Sequence, residues 1–381
     1  MAKVETDQHI SGVVIWAVSY CRSTVATYLT LARFLPCDVR LVVFGPKENP
    51  LRHRAGFSSA EFEESQFDLL SPADGVAVKF LEEHRDYVHM FCSYQASGVF
   101  HRLIARCIRG SIRYFVASEA PLNMERPSLK RVLKAAYLRS VLPARIRDVV
   151  RHAEFIVNYS GDGNEGLNRL GWTLESIEPF GYFPPPLPGS KSRERADDPS
   201  ASFSFLMTGI HSWHRDPLTF VRALRILRDK VGGCRFHGVI CGDGPLTREV
   251  ATFVSDNQLA VEFRGFISLQ QLIHEYETAS AFVATGCAEP WGIRVNDAMQ
   301  CGCPALVSDG MGSSKLVKET GFGGIFRSGD PEALAEEMAK LLMERDNYRT
   351  LIARARPALD WLRPETRGRS LANRIAERLG L

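Results

Sequence analysis

The strongest constraint on this chain is a rhythm that runs twice. Short apolar runs alternate with longer amphipathic stretches, stop at a proline-rich segment, and then start again. In the first half Val13–Val18, Val39–Phe44, Val88–Phe91, Ile112–Val116 and Phe155–Asn158 read as buried strands, with helical patterns such as Thr24–Phe34 and Val99–Arg109 between them. In the second half the strands are Phe203–Met207, Gly238–Cys241, Val261–Phe263, Ala281–Ala284 and Ala305–Val307, with helices including Pro217–Arg228 and Leu269–Thr278. Strands that are apolar on both faces, alternating with helices, predict a parallel sheet covered on both sides. Between the halves, Pro184-Pro185-Pro186-Leu187-Pro188-Gly189 can continue neither a helix nor a central strand, and the polar run Ser190–Ser200 follows it. That is a linker signature. The expected fold is therefore α/β, with two Rossmann-like domains facing across a cleft, and a length of 381 residues suits two cores. Ligands of such sheets sit at the carboxyl ends of the strands.

Composition narrows the function classes. A hydrophobic fraction of 45% with 24% charged residues is that of a globular protein, and a net charge of +3 gives no argument for a nucleic-acid partner. The nine cysteines are odd in number, mostly inside apolar runs, and show no Cys-x-x-Cys spacing. They read as free thiols in a reducing compartment, not as a zinc site. No run approaches the ~20 apolar residues of a membrane span. The first apolar run follows Glu5 and Asp7 and lacks a basic leader, so it reads as a strand and the expected location is the cytoplasm.

The chemistry concentrates in the stretch from Thr285 to Asp309. Glu289 and Pro290 sit where the chain leaves a strand, and Gly292 permits close backbone approach to a ligand. A helix is expected from near Trp291 to about Cys301, with Gly302 as its stop. Its first-turn N–H groups and positive dipole end suit a diphosphate. Glu289 and Asp297, eight positions apart, fall on one face if both are helical. Two carboxylates so placed suit a sugar hydroxyl and a ribose hydroxyl.

At this point the chain resembles the retaining glycosyltransferases of family 4, the glycosyl transferases group 1, which share a GT-B fold and a Glu-x7-Glu motif. The resemblance covers residues 203–342. It implies the division 1–183 for an acceptor-binding domain, 184–200 for the linker, 201–362 for a nucleotide-sugar-binding domain, and a C-terminal helix, 363–381, returning to the first domain. It implies transfer of a sugar from a nucleotide-sugar donor, with a UDP or GDP base, to a saccharide or lipid-linked saccharide. Retention of anomeric configuration and a role in polysaccharide or glycoconjugate biosynthesis come with it. No metal or other cofactor is expected, since Asp-x-Asp is lacking. By the resemblance Glu289 holds donor-sugar hydroxyls and Asp297, shorter than the usual Glu, holds the ribose. Cys241-Gly242-Asp243-Gly244-Pro245-Leu246 resembles a glycine turn of the family, and Val261–Ile267, with Phe266 and Ile267, the segment that reads the nucleobase.

The diphosphate pair departs from the pattern. In Gly209-Ile210-His211-Ser212-Trp213-His214-Arg215, Arg215 stands where the family has lysine, but Ile210 stands where it has arginine. Arg294 or His214 is the candidate replacement, and Trp291, Gly292 and Ile293 complete the expected donor site. Lys315 stands where the family often has Glu, after Gly310 and Gly312.

The first half matches less. Its usual glycine turn is replaced by Ser19-Tyr20-Cys21-Arg22-Ser23-Thr24, so Ser19, Arg22 and Ser23 are expected on the acceptor side. Glu119, at the end of a strand, is the candidate for binding the acceptor hydroxyl or taking its proton. From Arg126 to Arg151, eight Arg and Lys residues face only Asp148, with Leu129, Val132, Leu133, Ala136 and Tyr137 at helical spacing. Such a segment suits the anionic inner face of a membrane, or equally a solvated face or an anionic soluble acceptor. Aromatics do not alternate with the basic residues, Tyr137 being the one aromatic in the segment, which argues against RNA. Among rivals, a dehydrogenase lacks its Gly-x-Gly-x-x-Gly after the first strand. A nucleotide-sugar epimerase would lack the paired carboxylates, and a phosphorylase would be a far longer chain. The rival left open is a catalytically inactive GT-B protein that binds a sugar nucleotide or a partner glycosyltransferase.

Overall fold

A computed structural model describes residues 9–17, 22–43, 68–69, 74–94, 98–190, 202–232, 235–343 and 359–381, and the structural statements below concern these. The first strand, β1 (Gly12–Ala17), is buried along its whole length, as a strand with an apolar side chain on each face must be. It lies inside a parallel seven-stranded sheet with β2 (Asp38–Val43), β3 (Asp68–Leu69), β4 (Tyr87–Phe91), β5 (Tyr114–Ser118), β6 (Ile156–Asn158) and β7 (Ile177–Pro179), in the order β3-β2-β1-β4-β5-β6-β7. The second sheet repeats the design. β8 (Phe203–Thr208) is likewise wholly buried, beside β9 (Phe236–Cys241), β10 (Val261–Gly265), β11 (Ala281–Ala284), β12 (Ala305–Ser308) and β13 (Gly323–Phe326). Their order is β10-β9-β8-β11-β12-β13, and every pairing is parallel.

Strand order reverses between β1 and β4 in one sheet and between β8 and β11 in the other. At such a switch the loops leave toward opposite faces, which opens a crevice at the carboxyl ends. The two-domain α/β expectation is met. β3, β7 and β13 are additions that no apolar run announced. The helix Leu269–Thr278 matches its expected bounds, because Ser268 and Gln271 close a capping box at its start.

The final helix, Pro364–Leu379, returns to the first domain as expected of the fold. Gly368 lets it lie against Thr30 of the first helix, Arg22–Phe34, where a Cβ would meet Thr30 Cγ2 at 2.3 Å. Arg378 lies 3.2 Å from Glu178 and, with Arg374, ties the helix to β7. One hydrophobic cluster runs through both domains without a break, from Val13 and Phe115 to Phe282 and Val307. Its centre is aromatic. Trp291 is 2% exposed and packs edge-on against Phe183, which in turn meets Trp361, while the Arg367 guanidinium lies 3.6 Å over the Trp361 ring.

Gly181 is the keystone of that seam. Its φ is +106°, and a Cβ there would lie 2.2 Å from the Trp291 ring. Gly181→Ala is expected to cost about 2–3 kcal/mol, from overpacking plus a positive-φ side chain. Gly189→Ala shares the positive φ but has nothing within 4 Å, and should cost about 1 kcal/mol. Thermal unfolding of the two variants checks the difference.

Candidate active site

The crevice of the second domain is built from the loops after β8 and β11. Gly209 follows β8 with φ +115°, and the space a Cβ would fill is taken by Arg294 Nη1 at 2.4 Å and Arg215 Nη1 at 3.0 Å. Only glycine lets two guanidiniums come this close to the strand end. Arg215 closes a 3-10 turn, Trp213–Arg215, and Asp216 caps the next helix, accepting from the Thr219 N–H. Arg294 begins the helix Arg294–Gln300 and donates to the Thr208 carbonyl at the end of β8.

Between the two cations lies one carboxylate. Glu289 is bridged to Met311 by backbone pairing, with its side chain 12% exposed. Its Oε1 is 3.4 Å from Arg215 and its Oε2 3.2 Å from Arg294. Burial pulls the Glu289 carboxyl up, but Arg294, Arg215 and His214 outweigh it, and the net position is below the usual glutamate range. Burial, then the Arg294 charge, push the Arg215 guanidinium down to about 10 against the pull of Glu289. Arg215 Nε is buried with no hydrogen-bond partner among the described residues. His214 is held below its usual range by burial and by both arginines, with Glu289 opposing. Two permanent cations face one anion here, so the crevice is short of negative charge.

The other expected donor residues are spread along the rim. Gly242 and Gly244 let the loop after β9 press on the loop after β8: a Cβ at Gly242 would meet the Gly209 carbonyl at 2.0 Å, and one at Gly244 the His211 backbone at 2.7 Å. Their glycines are thus explained by loop packing. Phe266 is 78% exposed at the end of β10, whereas Ile267 and Ile293 pack against the core. Gly292, with φ +98°, lies against the Met311 methyl, where a Cβ would come within 2.2 Å. Ile210 is 51% exposed beside Gly209, and its apolar side chain brings no charge to the crevice.

The helix of the motif departs from its expected start, and the side chains around it have partners that the sequence did not show. The helix starts at Arg294 and not near Trp291, because Gly292 turns the chain with positive φ; Glu289 lies before it, so Glu289 and Asp297 do not share a helical face. The Trp291 side chain points into the domain seam, with its indole N–H donating to Asn296 Oδ1 at 2.8 Å. Asp297 is 4% exposed and sits under the crevice, 3.0 Å from Arg22 of the first domain. Arg22, expected on the acceptor side, donates to that carboxylate and to the Pro185 carbonyl. Ser19 lies outside the described residues, and so does the Ser23 side chain.

On the facing side Glu119 follows β5, as expected. It accepts from the Tyr182 hydroxyl at 3.0 Å. Burial raises its carboxyl above the usual range, the Tyr182 bond opposes this, and the Glu289 charge across the cleft adds to the rise. Tyr182 was not singled out by the sequence; the one signal was its place in the aromatic run before the prolines. Among the described residues no group of three or more His, Cys, Asp or Glu side chains is placed to hold a metal ion. No disulfide joins the described cysteines. None of the described helices is long and apolar enough to cross a membrane.

Comparison with known proteins accords with this geometry. Residues 191–357 match the family described as "Glycosyl transferases group 1". A GDP-mannose-dependent alpha-(1-6)-phosphatidylinositol dimannoside mannosyltransferase of Mycobacterium tuberculosis is 25% identical over 206 residues, 53% of this chain and 52% of the relative. The amylovoran biosynthesis glycosyltransferase AmsK of Erwinia amylovora is 29% identical over 129 residues, 32% of this chain and 31% of the relative. The chain thus spans about half the length, or less, of the curated relatives it matches. In fold, Anabaena HepE in complex with UDP and glucose superposes with a TM-score of 0.65 at 13% identity, over 96% of this chain and 100% of that one. The lipopolysaccharide outer core galactosyltransferase WaaB gives 0.65 at 12% identity, over 96% and 99%. The architecture is GT-B.

Proposed function

We propose, from the premise that residues 191–357 are a glycosyl transferases group 1 domain carried in a GT-B fold, that this protein transfers a sugar from a nucleotide-sugar donor to a saccharide or lipid-linked saccharide. The observation that carries the proposal is the Gly209 crevice, where Arg215 and Arg294 share one carboxylate and Arg215 Nε has no partner among the described residues. A donor diphosphate supplies the missing negative charge, and guanidiniums match phosphate oxygens in pairs. Arg294 thus takes the part that Ile210 cannot. Glu289, held ionised, accepts from donor-sugar hydroxyls. The exposed Phe266 ring offers a face for the nucleobase. As the glycosidic C–O bond to phosphate breaks, the two arginines stabilise the charge gathering on the leaving diphosphate, and no metal is required of them.

Retention follows the family reading: the acceptor oxygen attacks from the face the phosphate leaves, and the leaving phosphate oxygen takes the acceptor proton. Glu119 orients the acceptor hydroxyl from the first domain. Ionised Glu119 is needed for that, and its raised position gives the transfer rate an acid limb above the ordinary glutamate range of about 4.3. Activity is therefore expected to fall as pH drops through that window, and Glu119→Gln to lower the rate and flatten the limb. A pH–rate profile checks both. Glu289, shifted the opposite way, stays charged throughout.

The donor base stands between UDP and GDP, as the GDP-mannose dependence of one relative and the UDP complex of one structural neighbour suggest. A lipid-linked acceptor is supported by the helix Leu129–Ala136, which has no buried residue and exposes Leu129, Val132 and Leu133 by 73, 64 and 61%. Lys130, Lys134, Arg139, Arg145, Arg147 and Arg151 around it form no ion pair among the described residues, which suits the anionic cytoplasmic face of a membrane in polysaccharide or glycoconjugate assembly. The test is an assay of UDP- and GDP-sugars with soluble acceptors and with lipid-linked acceptors in anionic vesicles, with the product anomer read by NMR. Nucleoside diphosphate release coupled to a retained anomer supports the proposal. Nucleotide binding without turnover on any acceptor favours the inactive binding protein.

A further inference from the structure

We propose that Asp297 and Lys315 are positioning residues that fix the two domains against each other, and that Asp297 does not read the donor ribose. The idea rests on the donor-crevice reading above, but its evidence lies outside the crevice. Both residues are departures from the family pattern, and both carry a charge paired across the seam.

The first pair is nearly dry. Arg22 Nη2 lies 3.0 Å from Asp297 Oδ1, with side-chain exposures of 9% and 5%. The same guanidinium donates to the Pro185 carbonyl, so one side chain joins the first domain, the linker and the second domain. The neighbours of Asp297 on its helix face the same way. Asn296 donates to the Tyr182 carbonyl and Gln300 to the Pro184 carbonyl, each at 2.9 Å. This side of the helix is thus bonded to the segment where the chain passes between domains. An aspartate, shorter by one methylene than glutamate, keeps its carboxylate at that seam, with its side chain 5% exposed.

The second pair is wetter and of reversed sign. Lys315 Nζ of the second domain lies 2.7 Å from Asp162 Oδ1 of the first and 2.9 Å from Glu319 on its own helix. A glutamate at 315 would face both of these carboxylates. Beside this pair the backbones touch: a Cβ at Gly161 would lie 3.0 Å from the Gly312 carbonyl. In one pair the anion belongs to the second domain, in the other to the first. Each departure therefore meets the charge it needs.

The test uses the full chain, with small-angle scattering for the domain arrangement and thermal unfolding with and without UDP and GDP. Lys315→Glu is expected to raise the radius of gyration and lower the transition temperature, and adding Asp162→Lys to restore both. Arg22→Met and Asp297→Asn should each lower the transition temperature, with the double variant no worse than the poorer single one. Asp297→Asn should keep the nucleotide-induced shift of the wild type. A charge swap that fails to rescue, additive losses in the buried pair, or loss of the nucleotide shift in Asp297→Asn but not in Arg22→Met overturns the proposal. If no nucleotide shifts the wild type, the donor reading fails, and the swap and the double variant alone decide this one.

Discussion

Glu289→Gln is expected to lower transfer by about 10²-fold or more while leaving affinity for the free nucleoside diphosphate intact or improved. The reason is the position of the carboxylate between Arg215 and Arg294. It accepts from the sugar, so its loss removes charged hydrogen bonds of about 1.5–3 kcal/mol each from the reacting complex. It also neutralises part of the charge that attracts the diphosphate. Without it the two guanidiniums face the phosphates unopposed. A single substitution should therefore move turnover and nucleotide affinity apart, and steady-state kinetics beside nucleotide titration reads both. A purely structural Glu289 would lower the two together.

Arg215→Met is expected to weaken nucleoside diphosphate binding by about 2–4 kcal/mol, roughly 30- to 1,000-fold, because a desolvated charge partner is removed. The side chain is 25% exposed and its Nε has no partner among the described residues, so its removal should cost the unliganded fold little. Thermal stability without ligand should fall much less than binding does. Arg294→Met should also weaken binding, but with a larger loss of stability, since Arg294 ties the helix Arg294–Gln300 to the end of β8 through the Thr208 carbonyl. Isothermal titration of both variants, with melting curves, separates the roles. Lys at 215 should rescue only in part, because an ammonium lacks the planar fork.

Much of this arrangement is legible in the sequence, and the rest is hidden for identifiable reasons. Apolar runs reveal central strands because both faces are buried, as in β1 and β8. They do not reveal β13, whose Gly323-Gly324 pair carries no apolar side chains to count, or β7, which ends in a proline at the sheet edge. The Glu289 motif and Arg215 are legible because their spacing is local. The Arg215–Glu289 contact is not, since it joins loops after β8 and β11 that only the sheet order brings together. The partners of Asp297 and Lys315 lie in the other domain, 275 and 153 positions away, and no local pattern announces them. The packing of the Trp291 side chain is hidden for the same reason, because Gly181 and Phe183, which close over it, are distant in the sequence.

The most direct test of the central claim is thermal unfolding of the wild type and Glu289→Ala with UDP, GDP and their sugar conjugates. A ligand that binds only the native state at 100 times its Kd stabilises by about 2.7 kcal/mol. A raised transition temperature is expected with the nucleotides of one base. Glu289→Ala should keep the shift from the free nucleoside diphosphate and lose the increment added by the sugar. No shift of the wild type with any of these ligands at millimolar concentration would contradict it.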